Sequence, residues 1–337
     1  MGKTQFGTLT ITKKMLGNAE IAKEVFNGFV VYENTPVVVG DSCTIANLGS
    51  QNPSNVTFTK TANFPTESQC WEEVVIGNDH FAKFTPWYRK SVYNENNELI
   101  GMIISNQQED ADFVPYECFL DESGNLLPYI LIGRYCCSNT STADSIDSSM
   151  ATMTPSAGRA LCQAKGAGYQ MYDGAMHIFW RDLALACSET VNFNDGTGVT
   201  SYLGLARMTQ QYWYIDGLAH DSGTYLYSNK PSKYVDQPTS STDGYSALSY
   251  TMPTNGNYCV KALGYDANHP TINLPSANTG ATSYTVYYCD IMFYASGNHP
   301  CIINVGGAFA SNGLFSLDGA YDWSSAGGVR LCYKPIQ

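Results

Sequence analysis

"MTPSAGRALCQAKGAGYQMYDGAMHIFWRDLALACSE", residues 153–189, carries the two strongest helix signals of this chain. Thr154 is placed to accept from the free N–H groups of a first helix, Pro155 fits its first position, and Gly166 stands where a left-handed residue ends it. Asp173 repeats the capping chemistry for a second helix. There Met176, Phe179, Trp180, Leu183 and Cys187 recur at helical spacing, which predicts one buried stripe. His177 falls off the stripe and is expected at solvent or against a loop.

Strand signals lie on both sides. "WEEVVIGNDHFAKFTPWYRKSVY" (71–93) reads as a hairpin turning at Gly77–Asp79. "LIGMIIS" (99–105) and "YILIGRYCC" (129–137) read as a second pair bracketing the loop "DESGN". After residue 190 helical periodicity stops, and short strands alternate with Gly/Ser/Asn/Pro loops. "SYTVYYCDIMFYASG" (283–297), "CIINVGG" (301–307) and "GGVRLCYK" (327–334) are the clearest strands there. Strands, two helices, then strands again predict an α+β fold with both ends of the C-terminal domain in one sheet. The beginning reads separately. "TKKMLGNAEIAKEVF" (12–26) suggests a short helix capped by Thr12, and residues 28–48 suggest two or three strands. "GSQNPSNVT" (49–57) suggests a linker. The expected division is an attachment or oligomerisation segment over 1–60, small and β-rich, and a binding domain over 65–337.

Composition narrows the function. Charged residues are only 14% of 337, while Tyr numbers 24 and Gly 30. Few charges with many Tyr, Ser, Asn and Gly is the chemistry of adaptable recognition surfaces, not of a disordered chain. A net charge of -12 without any basic cluster argues against nucleic-acid binding. "LLPYILIG" is too short to span a membrane, and no membrane insertion is expected. The opening "MGKTQFGTLT" lacks the apolar segment of a signal peptide. With eleven cysteines, an odd count, buried free thiols are expected rather than a disulfide framework.

Motifs for chemistry are missing. The sequence contains no P-loop, GxGxxG, GxSxG, HExxH or CxxC, so no catalytic residue, cofactor or metal is expected. Asp216 and His220 in "WYIDGLAHDSG" are the nearest polar constellation and read as a loop turn.

Three stretches together resemble phage tail proteins of the C-type-lectin fold. "WEEVVIGNDHFAKFTPWYRK" with "VPYECFLDESGNLLPYILIGRY" resembles their opening strands, and residues 153–187 resemble their two-helix segment. "INVGGAFASNGLFSLDGAYDWSSAGGVRLCYKP" (303–335) is similar to their C-terminal signature, in which VGG, GLF and GxRL alternate with irregular runs. In that family this last stretch is often the variable region of a diversity-generating retroelement, which mutates the adenines of a template repeat. Mutated AAC codons never yield Lys, Glu, Gln, Met or Trp. Those types total 50 of 337 residues, yet only Trp323 occurs in 298–327.

The resemblance implies a C-type-lectin-like domain of two helices, a mixed or antiparallel sheet and long loops. It implies recognition of a cell-surface receptor, protein or glycan, of a bacterial host. The protein would act as a homotrimer on a phage virion or, alternatively, at a bacterial cell surface. It places the scaffold at Val305, Gly306, Gly307, Gly313, Leu314, Phe315, Trp323, Gly328, Arg330 and Leu331. The variable ligand-binding positions would be Asn298, His299, Ala308, Phe309, Ala310, Ser311, Asn312, Ser316, Asp318, Ala320, Tyr321, Asp322, Ser324 and Ser325. Phe309 and Tyr321 would be the aromatic anchors. The calcium motifs of sugar-binding lectins are not matched by "DQPT" (236–239) or "DWS" (322–324). Cys301 and Cys332 are too far apart for the cysteine pair of formylglycine-generating enzymes, which share the fold. A non-diversified structural tail protein and an enzyme on this fold are the alternatives.

Overall fold

Both helices begin at their caps. In the computed structural model, helix α1 spans Pro155–Ala164, and the Thr154 hydroxyl accepts from Ala157 N at 3.4 Å. Helix α2 spans Gly174–Ser188, and Asp173 Oδ1 accepts from Met176 N at 2.8 Å. Gly166 sits at φ +125°, where an L side chain would be strained. The structure describes residues 40–192, 201–206, 213–253, 256–279, 286–288, 291–294, 301–305, 317–318 and 327–336. It also describes the backbone of four short strands before residue 40.

Helix α2 is the centre of the core. Met176, Phe179, Trp180 and Leu183 are essentially inaccessible, as the stripe predicts, while Cys187 is half-buried. The rest of the helix differs from expectation, because every residue from Gly174 to Ala186 is buried. His177 is 5% exposed and so is not at solvent. The physical reason is that strands and loops close over α2 on the polar side as well. The Phe179 ring meets Phe84, Tyr116 and Phe119 edge-on, with centroids 5.3, 5.3 and 4.9 Å away.

The polar side of α2 is satisfied by charge pairing. Asp182, fully buried, accepts from Arg89 Nη1 at 2.7 Å, Arg181 Nε at 2.8 Å and Tyr116 Oη at 3.2 Å. Arg89 also donates to the Pro270 and Thr271 carbonyls and to Asn273 Oδ1, and Arg181 Nη1 donates to Asn273 O at 2.8 Å. Burial works against the Arg89 charge, but the Asp182 charge and hydrogen bond, together with Tyr116 and Tyr93, hold the guanidinium above its ordinary value.

Among the described residues the chain is α+β, with two helices and several largely antiparallel sheets. One sheet runs in the order Val114–Pro115, Tyr88–Tyr93, Leu99–Ser105, Ser42–Ala46, Thr57–Lys60. A second runs Tyr169–Met171, Leu331–Tyr333, Ile130–Gly133, Asp79–Phe84, Glu72–Ile76. This second sheet joins the start and the end of the expected binding domain, as the sequence order predicts. The hairpin turns at Gly77, with Ile76 opposite Asp79. Leu99–Ser105 and Ile130–Gly133 do not pair with each other; each joins a different sheet. The third and largest sheet contains Trp213–Asp221, Cys301–Val305, Leu317–Asp318, Ile291–Tyr294 and Gly256–Leu263 as neighbours.

The beginning of the chain departs from its sequence reading. Residues 1–39 form one compact unit and 40–337 another. In the first, Met15–Leu16 pairs with Ala19–Glu20, and Lys23–Phe26 with Phe29–Glu33, so the expected helix over 12–26 is replaced by strands. Gly17–Asn18, a turn dipeptide, interrupts the helical spacing, and Val25 and Phe26 favour a strand. The large unit begins at Gly40, not near residue 65, because Ser42–Ala46 is hydrogen-bonded to Leu99–Ser105. Residues 49–57 are the connection of the hairpin Ser42–Ala46/Thr57–Lys60, not a linker. Asn52 Oδ1 caps its single 3-10 turn, accepting from Ser54 N at 3.1 Å. Within 283–297 the described strand is Ile291–Tyr294, while residues 286–288 form a turn with Tyr287 at φ 55°.

Candidate functional site

The strands flanking the expected variable stretch are fixed by long-range pairing. Cys301–Val305 lies antiparallel to Trp213–Asp221, with Val305 opposite Trp213. After it, Gly327–Gly328 pairs with Thr152–Met153, and Leu331–Tyr333 is held between Ile130–Gly133 and Tyr169–Met171. Arg330 is 1% exposed; its Nη2 donates to Ala206 O at 2.7 Å and its Nη1 donates to Gly133 O. Leu331 is fully buried. Between these anchors, Asp318 lies in the strand Leu317–Asp318, antiparallel to Asn304 and parallel to Phe293. Asn298, His299, Ala308, Phe309, Ala310, Ser311, Asn312, Ser316, Ala320, Tyr321, Asp322, Ser324 and Ser325 lie outside the described residues. So do the scaffold positions Gly306, Gly307, Gly313, Leu314, Phe315 and Trp323.

Asp216 and His220 belong to the strand Trp213–Asp221, not to a loop turn. A bulge between Ile215 and Ala219, with Gly217 at φ 69°, gives the local sequence its turn-like composition. Asp216 is buried and takes both Nε and Nη2 of Arg159, the latter at 2.6 Å; Arg159 also reaches Asp236 at 3.0 Å. Burial raises the Asp216 carboxyl even though Arg159 pulls against it. The group is thus a structural clasp between α1, the strand and the loop carrying Asp236.

A polar cluster that no local motif announces joins three distant segments. Glu117 opens a 3-10 turn and is nearly buried, with 8% of its side chain accessible. His269 Nδ1 lies 3.0 and 3.3 Å from its two oxygens. On the other side of the ring, Nε2 lies 3.0 Å from Oγ of Ser246, an exposed residue that opens the strand Ser246–Thr251. A carboxylate only accepts, so the Nδ1 proton belongs to the Glu117 side and neutral His269 offers Nε2 to the serine hydroxyl. The ring is held edge-on by Tyr227 at 4.7 Å, and its backbone N–H donates to Asp266 Oδ1 at 3.2 Å. Burial works to lower the His269 value, but the Glu117 hydrogen bond and charge, with Asp266, leave it raised. A serine hydroxyl, an imidazole and a carboxylate therefore stand in the order that acyl transfer uses.

A concavity of about 580 Å³ lies on the second sheet, lined in part by Tyr129, Tyr169, Tyr333, Lys83 and Lys165. Among the described residues no group of three or more His, Cys, Asp or Glu is arranged to hold a metal ion, and no helix is long and apolar enough to cross a membrane. No protein-family model matches the chain, and no curated protein matches it.

Proposed function

We propose that the chain is a ligand-recognition protein whose large unit, residues 40–337, forms a C-type-lectin-like domain with a diversified surface at about 298–327. The observation that carries this reading is the framing of that stretch. Within it Cys301–Val305 is held in the largest sheet, and after it buried Arg330 and Leu331 lead into the second sheet. Side chains between two such anchors can change identity without altering the core. The near absence of Lys, Glu, Gln, Met and Trp from 298–327 supports the same reading. The ligand class is a receptor, protein or glycan, on a bacterial host. The setting is a phage or prophage tail or a bacterial surface, with three copies of the chain assembled together. The test is to sequence the gene across a population, where substitutions should concentrate in this stretch.

The Ser246–His269–Glu117 cluster favours a second reading, chemistry on the same fold. It expects a fluorophosphonate probe to label Ser246 in the native protein, with labelling lost in Ser246→Ala and at least tenfold slower in His269→Gln. An unlabelled native protein removes this reading and leaves the cluster as a loop clasp.

A further inference from the structure

Two cysteines that carry free thiols, Cys70 and Cys187, touch near the surface. Cys70 Sγ lies 3.5 Å from Cys187 Sγ, across 117 positions of sequence. Cys70 ends the single 3-10 turn Glu67–Gln69, and Cys187 lies in the last turn of α2. Their accessibility differs: Cys70 is 7% exposed, whereas Cys187 is half-buried. Lys60 stands over this end of α2, its Nζ 3.2 Å from Cys187 O and 2.6 Å from Glu189 Oε1. A second close pair, Cys137 and Cys162, is enclosed on all sides, with both residues at 0% exposure. Contact alone therefore does not distinguish the two pairs; contact together with access does.

We propose that Cys70 and Cys187 form a thiol–disulfide exchange site that accepts a small-molecule disulfide, with Cys187 attacking and Cys70 resolving. The Cys187 thiolate attacks one sulfur of the reagent, making a mixed disulfide and releasing the other half as a thiolate. Cys70 then loses its proton to water, and its sulfur attacks Cys187 Sγ, expelling the second half. Two protein thiols are oxidised to one disulfide and one reagent disulfide is reduced to two thiols. The sulfurs close from contact to roughly 2.0 Å. One turn of 3-10 helix, tied on by the Cys70 Sγ hydrogen bond to Thr66 O at 3.3 Å, is a small element to shift. The bond would tether the end of α2 to the segment before the first strand of the second sheet, whatever the protein binds.

The experiment treats the native full-length chain with oxidised glutathione, alkylates the remaining thiols and maps the peptides. The expected product is one Cys70–Cys187 cross-linked peptide, with Cys137 and Cys162 still alkylated after unfolding. The melting temperature should rise by roughly 5–10 °C, since the closed loop is long. In Cys70→Ser the reaction should stop at a glutathione adduct on Cys187, and in Cys187→Ser Cys70 should not react. The adduct in Cys70→Ser is read on native protein without requiring the cross-link, so it also tests which thiol attacks. Alkylatable Cys70 and Cys187 in treated wild-type protein, or a cross-link to any other cysteine, would overturn the proposal.

Discussion

Asp182→Ala is expected to destabilise the protein by about 3–5 kcal/mol, a loss large enough to unfold a domain of ordinary stability near body temperature. The carboxylate is fully buried and takes hydrogen bonds from Arg89, Arg181 and Tyr116. Removing it leaves two guanidinium groups in the core without their counter-charge, and desolvation that the pairing offset is then uncompensated. Arg89 also holds the carbonyls of Pro270 and Thr271, so the loop before Asn273 should loosen together with α2. Chemical denaturation of the variant measures the loss. Glu72→Ala is the matched control, because its pair with Lys83 sits at the surface and should leave the unfolding midpoint unchanged. An Asp182→Ala midpoint equal to that control would show that the buried network does not hold the fold.

Phe179→Ala is expected to cost about 3–5 kcal/mol through a different mechanism. The ring is fully buried and meets Phe84, Tyr116 and Phe119 edge-on. Its loss removes the transfer energy of a large apolar side chain and leaves a cavity lined by three rings attached to strand, loop and 3-10 turn. Such pairs add about 0.5–1.5 kcal/mol each beyond buried area. Phe179→Leu should recover about half of the loss by filling part of the cavity. Tyr116 touches both Phe179 and Asp182, so the double variant should fall short of the sum of the singles. A full sum would place the two residues in independent clusters.

How much was legible follows from the range of each signal. The caps at Thr154 and Asp173 and the turn at Gly77 act over three or four residues, and these features stand where the sequence puts them. The burial of Arg181 and Asp182 was not legible, since beyond their bond to each other Asp182 has partners 93 and 66 positions away and Arg181 has one 92 away. The same holds for Ser246, His269 and Glu117, which share no motif and meet only after a strand and a loop fold onto one 3-10 turn. The helix expected over 12–26 failed for the opposite reason. It rests on a cap at Thr12, while the turn signal of Gly17–Asn18 carries more information. The stretches 99–105 and 129–137 both hold strands, but their closeness in sequence suggests a pairing with each other. The sheet order joins 130–133 to Leu331–Tyr333 instead. Of the positions proposed to vary, Asp318 alone lies within the described residues, and the proposal for them stands on sequence chemistry and on the anchored strands.

The most direct measurement is to sequence this gene and its flanks across many individuals of one population. The account predicts substitutions concentrated in 298–327, at adenine positions of a nearby template repeat, with Arg330 and Leu331 unchanged. Substitutions spread evenly along the chain, with no template repeat in the flanks, would contradict a diversified recognition surface.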